Sequence, residues 1–407
     1  MDAEIDAALA VAHVPSLMMA LVHLTGDTSH IDAAPPLVYE LTGDGNGNLP
    51  ADVQADIRAK AKAALLAHKA GKPLAPVPSE ATLRKMMDYI AGMPIPPHYV
   101  PFLMEELAID GSDPKQPAPI APKLKAKGRS MRVIVIGGGM SGILTGLRLK
   151  QAGIPFEIIE KNADFGGTWL ENLYPGCRVD NPSHMYSYSF EDNHVWPYLF
   201  STQPVLLAYF QRVAKRHDLA ANARFGTTVK EARFDEGARV WRVTVEKDGK
   251  EEMLVADAVV SAVGQLNQPR YPDIEGVGAF KGPAFHSARW DHSVDHRGKR
   301  VAVVGAGASG FQIVPTIAPD VESLVVFQRT AQWMFPNPNY HEKVGDGMRW
   351  AMRHLPFYGR WYRFLLFYPG CDGGLANAKI DPEWPHQDRS INAANDMTRQ
   401  VFTKWIE

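Results

Sequence analysis

Two glycine runs stand far apart in the chain, Gly137-Gly138-Gly139-Met140-Ser141-Gly142 and Gly305-Ala306-Gly307-Ala308-Ser309-Gly310. Each has the G-x-G-x-x-G spacing that lets a chain leave a strand in a tight turn, bring backbone against a pyrophosphate and open a closely packed helix. Gly137 serves the turn, Gly139 the close approach and Gly142 the helix packing; Gly305, Gly307 and Gly310 repeat these roles, with Ser309 in the second helix's first turn. The two runs differ one strand further on. After the first, the next strand ends in Glu160, whose carboxylate can accept hydrogen bonds from both hydroxyls of a ribose and so favours an adenosine without a 2′-phosphate. After the second, it ends in Gln328-Arg329-Thr330. A guanidinium there can clamp a 2′-phosphate with paired bonds where a carboxylate would repel it, so Arg329 and Thr330 read as an NADPH site over an NADH one. A solvated surface arginine is the alternative.

Two further blocks carry residue types suited to a redox cofactor. Gly166-Gly167-Thr168-Trp169, followed by Tyr174-Pro175-Gly176-Cys177-Arg178-Val179-Asp180, can run backbone beneath a flat ring system and stack on it. Between the two glycine runs lies Phe280-x-Gly282-x-x-x-His286-x-x-x-Trp290-Asp291. Gly282 reads as a tight turn, Phe280 and Trp290 as packing a linker against a domain, and His286 as a general base in principle. Asp291 and His292 have no assignment.

Together these blocks resemble the flavin-dependent Baeyer–Villiger monooxygenases over most of residues 130–400. The resemblance and the contrast of Glu160 with Arg329 assign FAD to the first site and NADPH to the second. The resemblance implies Thr168, Trp169, Tyr186 and Val229 as flavin neighbours. It makes Asp180 the acid beside the flavin that orients a catalytic arginine, with an aspartate that merely caps a turn as the alternative. In such enzymes the histidine matched by His286 coordinates the linkers and a closing motion and does not move protons. The implied reaction passes hydride from NADPH to FAD and inserts one atom of molecular oxygen next to a ketone carbonyl, giving an ester or lactone. The matching arginine motif is not found before Glu407, and the helical spacing of Met397, Val401, Phe402, Trp405 and Ile406 halts there without a cap, so a truncated enzyme with an incomplete FAD-binding domain is expected. Ala12-His13-Val14-Pro15-Ser16-Leu17 and His23-Leu24-Thr25-Gly26-Asp27 further resemble the subgroup acting on aryl ketones, of which 4-hydroxyacetophenone monooxygenase is the named member. A flavin enzyme that oxygenates nitrogen or sulfur, and an inactive dinucleotide-binding fragment, are the competing readings.

The elements that must position these residues follow from periodicity. Ala3 to about Gly111 is helical, with apolar residues at helix spacing in Leu17–Val22 and Leu83–Ile90. Ser112–Arg129 interleaves prolines with lysines and reads as an extended linker that cannot continue a helix. Beyond it, strand and helix alternate: Arg132–Ile136, Met140–Gln151 and Pro155–Glu160, then again Arg300–Val304, Ala308–Ile317 and Ser323–Phe327. Val240–Glu246 and Met253–Val260 read as antiparallel strands of an insertion, and Ser261–Gly264 as the close of the first nucleotide domain. The expected fold is α/β: two Rossmann-like, doubly wound three-layer domains preceded by an all-α extension. Its divisions are 1–111, a linker at 112–130, an FAD-binding domain at 131–280 and an NADPH-binding domain with a helical insertion at 281–407.

At 407 residues, 45% hydrophobic and 22% charged, the chain can build two or three ordinary cores. A formal net charge of -2 offers no basis for nucleic-acid binding, so the expected partners are a small hydrophobic ketone and oxygen, with a homodimer through the N-terminal extension as a further option. The N-terminus lacks a signal peptide's basic start and apolar run, and no stretch approaches the roughly 20 apolar residues of a membrane span. Trp361–Tyr368 could be an interfacial anchor or channel wall, but reads first as a buried helix of an insertion. Cys177 and Cys371 lack metal-ligand spacing and are too few for a disulfide framework, which fits a cytoplasmic protein without a metal.

Overall fold

The apolar periodicity of the first hundred residues folds into α1 (Asp2–Ala10), α2 (Val14–Thr25), α3 (Ser29–Ala33), α4 (Ala51–Lys69), α5 (Glu80–Ala91) and α6 (Val100–Leu107), with no strand among the described residues there. The computed structural model describes residues 2–39, 45–128, 130–191, 195–330, 332, 337–368, 371 and 376–407; Arg129, the last residue of the expected linker, lies outside them. Helix α2 is apolar on every side and is buried from Val14 to Leu24, as the central helix of a bundle must be. His13 caps it by accepting the Ser16 N–H at 3.2 Å, Pro15 sits in its first turn, and Gly26 ends it at φ 77°.

The stretch expected to be an extended linker contains a short helix, α7 (Ala121–Ala126). Pro122 lies in its first turn, where a missing N–H removes no helical bond, and the Ile120 N–H reaches the Ala152 carbonyl at 2.9 Å. There follow β1 (Val133–Ile136), α8 (Met140–Ala152), β2 (Phe156–Ile159), α9 (Thr168–Glu171), α10 (Gln203–Arg216) and β3 (Ala223–Arg224). Next come β4 (Thr228–Asp235), β5 (Val240–Lys247), β6 (Lys250–Ala256) and β7 (Ala258–Ser261). A parallel sheet runs β3-β2-β1-β7, with Val133 opposite Phe156 and Ala258. The antiparallel sheet β4-β5-β6 supplies Val243, Val245, Leu254 and Ala256 to a shared core with Ile134 and Ile159.

The strand expected over Met253–Val260 is two strands. Asp257 breaks it: its N–H donates to the Arg132 carbonyl at 3.0 Å while its carboxylate accepts the Arg132 N–H at 2.7 Å, and the chain passes from the antiparallel to the parallel sheet. The second strand-turn-helix copy is β8 (Arg300–Val304), α11 (Ala308–Ile317) and β9 (Ser323–Phe327), with β8 and β9 paired in parallel. Ile313 and Ile317 of α11 are buried, whereas Val304, Val325 and Phe327 are exposed.

The remaining helices are α12 (Asp346–His354), α13 (Tyr358–Phe367) and α14 (Ala393–Ile406). Contacts divide the chain into two compact units, Met1–Pro114 with Asp180–Ser201 and Trp333–Glu407, and Lys115–Val179 with Thr202–Gln332. Both glycine motifs therefore share one unit, and α12 and α13 belong to the core of the N-terminal helices. Trp361 and Tyr358 are fully buried there: the Trp361 Nε1–H donates to His23 Nε2 at 2.9 Å, and the His13 N–H donates to the Tyr358 hydroxyl at 2.8 Å. The aromatic run from Trp361 is thus a buried helix, as expected. In α14 Phe402 is buried, with Met397, Val401 and Trp405 exposed. No helix among the described residues is long and apolar enough to cross a membrane.

Candidate functional site

The two glycine turns are near copies in backbone geometry. Gly137 and Gly305 have φ 105° and 107°, a region open to glycine, and Gly139 and Gly307 enter their helices at φ -80° and -78°. Neither Gly139 nor Gly307 caps its helix with a side chain, and the positive end of each helix dipole faces the glycine turn. A Cβ on Gly142 would stand 1.9 Å from the Gly137 carbonyl oxygen, and one on Gly310 2.6 Å from that of Gly305, so each helix starts as close to its strand as backbone permits. In front, the turns differ: a Cβ on Gly139 would lie 3.3 Å from Gly167 Cα, while one on Gly305 or Gly307 would meet nothing within 4 Å. Both cradles suit a pyrophosphate, the first framed by the Gly166-Gly167 loop and the second open.

Glu160 is buried at the end of β2. Its Oε2 accepts the Gly138 N–H at 2.6 Å, and its Oε1 accepts the N–H and side-chain amide of Asn162, both at 2.7 Å. The carboxylate thus orders the glycine turn. Arg329 and Thr330 follow β9, both exposed, and no described residue partners the Arg329 guanidinium. Val229 lies in β4 opposite Val245, against the core beneath β1 and β2.

Thr168 and Trp169 open the short helix α9, with Trp169 buried. Their loop is tied down by Gln203 at the start of α10, whose amide donates to the Trp169 carbonyl and whose N–H donates to the Cys177 carbonyl at 2.9 Å. The next turn is held by Gln312 in the middle of α11. Gln312 Oε1 accepts the Tyr174 hydroxyl at 2.9 Å and the Arg178 N–H at 3.3 Å, and its Nε2 donates to the Arg178 carbonyl at 2.9 Å. Gly176, at φ 81°, packs so closely that a Cβ would fall 2.6 Å from the Gln312 carbonyl oxygen.

In the other unit, Asp180 is exposed and accepts a hydrogen bond from the Tyr340 hydroxyl at 2.6 Å. Its segment closes on itself where the Ser183 N–H meets the Leu199 carbonyl at 2.7 Å and the buried Ser183 and Ser201 hydroxyls pair at 2.9 Å. Arg363 of α13 clasps the turn containing Tyr186: it donates to the carbonyls of His184 at 2.8 Å and Met185 at 2.9 Å, and to the Ser187 hydroxyl at 3.0 Å. Burial, with the Arg363 charge adding to it, lowers the His184 pKa to about 4, so this imidazole stays neutral beside the guanidinium.

The segment around His286 is structural in its contacts. His286 Nδ1 accepts the Ala288 N–H at 3.1 Å, capping a short 3-10 turn, and its own N–H donates to the Tyr271 hydroxyl at 3.1 Å. Asp291 likewise caps, accepting the Ser293 hydroxyl at 2.6 Å and N–H at 2.9 Å, which holds its carboxyl below the usual range. Two expectations need correction. Gly282 is not a positive-φ turn; it makes room for the Phe280 ring, whose Cζ would lie 2.6 Å from a Cβ there. Phe280 is itself exposed, and Trp290 lies edge-on to Phe285 of the same segment, with ring centroids 5.1 Å apart.

Gln312, Gln203, Tyr340 and Arg363 belong to no motif in the sequence. The one available signal was weak: Gln312 interrupts an apolar helix, Phe311-Gln312-Ile313-Val314, with a buried amide that must be satisfied.

Residues 130–352 match the family described as flavin-binding monooxygenase-like. The chain belongs to this family. Among the family's proteins, an uncharacterized monooxygenase of Sinorhizobium fredii is 37% identical over 405 residues, covering 98% of this chain and 60% of that protein. A Baeyer–Villiger monooxygenase of Streptomyces coelicolor is 42% identical over 238 residues, covering 58% of this chain and 45% of that protein. Among solved structures, OTEMO in complex with FAD and NADP superposes with a TM-score of 0.51 at 38% identity, over 55% of this chain and 43% of that one. The open form of cyclohexanone monooxygenase gives 0.50 at 35% identity, over 54% and 43%. The Baeyer–Villiger resemblance and the mixed α/β fold with parallel sheets are borne out, and the chain spans 60% or less of the length of each of these relatives.

Proposed function

We propose that this chain serves an FAD- and NADPH-dependent monooxygenase that converts a ketone to an ester or lactone, with aryl or other hydrophobic ketones as the substrate class. The observation that carries the proposal is the pair of matching glycine turns with opposite side chains one strand on, Glu160 after the first and Arg329 after the second. FAD is assigned to residues 131–280 and NADPH to residues 281–407. A bound flavin supplies the redox chemistry, taking hydride from NADPH and delivering one oxygen atom to the ketone while the other leaves as water.

The chain's own residues bind and orient. The N–H groups opening α8 and α11 receive the two pyrophosphates, and the helix dipoles favour that charge. Glu160, already ordering its turn through Gly138, accepts from the ribose of the first nucleotide. Arg329 clamps the 2′-phosphate of the second. Thr168, Trp169 and Tyr186 are assigned to the flavin ring. Asp180 is assigned to hold a guanidinium where negative charge builds on oxygen, and its reading rests on the family likeness and on its exposed carboxylate. His286 is assigned to the linker's conformation, in keeping with its capping contacts.

The test is the absorbance spectrum of the purified chain after incubation with FAD, followed by anaerobic addition of NADPH or NADH. Oxidised-flavin bands that bleach more readily with NADPH are the expected result. A protein that stays colourless and cannot be reconstituted with FAD would overturn the assignment for this chain.

A further inference from the structure

The side chain of Gln312 joins two segments that the nucleotide motifs would otherwise leave independent. It lies in α11, whose N-terminus follows the second glycine turn, and it is buried. Its amide makes three hydrogen bonds to one turn of the first nucleotide region, two of them to the backbone of Arg178 and one to the Tyr174 hydroxyl. Both partners lie within the Tyr174–Asp180 block, and Val179 passes directly into Asp180. The fit is steric as well: Gly176 leaves space for the α11 backbone, and a Cβ there would lie 2.3 Å from Thr316 Oγ1.

We propose that Gln312 is a positioning residue that relays occupancy of the second nucleotide site to the turn leading into Asp180. The inference rests on the assignment of a nicotinamide dinucleotide to α11. A phosphate seated on the first N–H groups of α11 restrains that helix, and a buried amide held by three hydrogen bonds transmits the restraint to Arg178 without any need for direct contact. A helix without this side chain would leave the turn the bond from the Gln203 N–H to the Cys177 carbonyl and the backbone bridge between Arg178 and Thr202.

Amide hydrogen exchange tests the relay on the whole chain, with NADP+ as the probe. In the native protein NADP+ is expected to slow exchange both at the start of α11 and at Gly176–Val179. In Gln312→Leu, similar in bulk but unable to bond, the amides of Gly176–Val179 are expected to exchange about tenfold faster and to lose the NADP+ response, while β1 and β8 keep native rates. Gln312→Glu keeps the acceptor for Tyr174 and Arg178, and is expected to recover part of the protection. Equal NADP+ protection of the turn in native protein and Gln312→Leu overturns the relay alone, as does uniform acceleration through β1 and β8, which would mark a merely structural side chain. A native chain whose α11 amides ignore NADP+ overturns the nucleotide assignment and the relay with it.

Discussion

The Tyr340 hydroxyl donates to Asp180 Oδ1 at 2.6 Å, tying the candidate acid to a residue 160 positions away in sequence. A hydrogen bond to a carboxylate is strong for its class, and partial exposure weakens it. A double-mutant cycle of Tyr340→Phe and Asp180→Ala, read by urea unfolding, should therefore give a coupling of about 1 kcal/mol. Additive losses would show that the pair contributes nothing to this segment.

The glycine turns predict opposite outcomes for one small change. Gly142→Ala places a methyl 1.9 Å from the Gly137 carbonyl oxygen, so helix and strand must part, and a loss of about 3 kcal/mol or more is expected in thermal or urea unfolding. Gly307→Ala meets nothing within 4 Å and should leave stability within about 1 kcal/mol of native. Its methyl projects from the turn assigned to the phosphates, so NADPH affinity, followed by nicotinamide fluorescence, should fall by about tenfold or more. A Gly307→Ala protein that binds NADPH normally would count against that assignment.

Arg329 is exposed and unpartnered among the described residues, so its removal should cost little stability. Arg329→Ala is expected to weaken NADPH binding by between about tenfold and a hundredfold while leaving NADH binding unchanged, the signature of a lost charge-assisted clamp on the 2′-phosphate. Equal losses for both nucleotides in parallel titrations would refute the clamp.

His23 links stability to pH. Burial, helped by the charge of Arg360, lowers its pKa to about 4, and its Nε2 accepts the Trp361 indole N–H, a bond the protonated ring cannot make. The unfolded chain binds this proton near pH 6.5 and the folded chain only near pH 4. Stability is therefore complete above about pH 6.5 and declines as the pH falls toward 4, by on the order of 3 kcal/mol from this group. Urea midpoints between pH 7 and 4 should show a shallower decline in His23→Gln than in the native protein. Parallel declines would place the acid sensitivity elsewhere, with His184 and its pKa of about 4 the next group to replace.

What the sequence determined by itself is local. The second copy, Arg300–Val304, Ala308–Ile317 and Ser323–Phe327, matches the observed elements residue for residue, and the first copy differs only at its ends. Apolar runs, glycine-permitted dihedrals and helix starts are properties of neighbouring residues, so they are legible without a fold. The contrast of Glu160 with Arg329 is legible for the same reason, being set by position in a short motif. Tertiary structure decided the rest. The break at Asp257 depends on Arg132 across a strand pair, the helix at Ala121–Ala126 is docked through Ile120 on the end of α8, and the burial of Trp361 depends on His23. Gln312 over Arg178, Tyr340 over Asp180 and Arg363 over the turn at Tyr186 likewise join residues more than a hundred positions apart. No spacing rule reports such contacts, because a buried amide or guanidinium is satisfied by whatever backbone the folded chain brings to it, and that proximity exists only once the cores have packed.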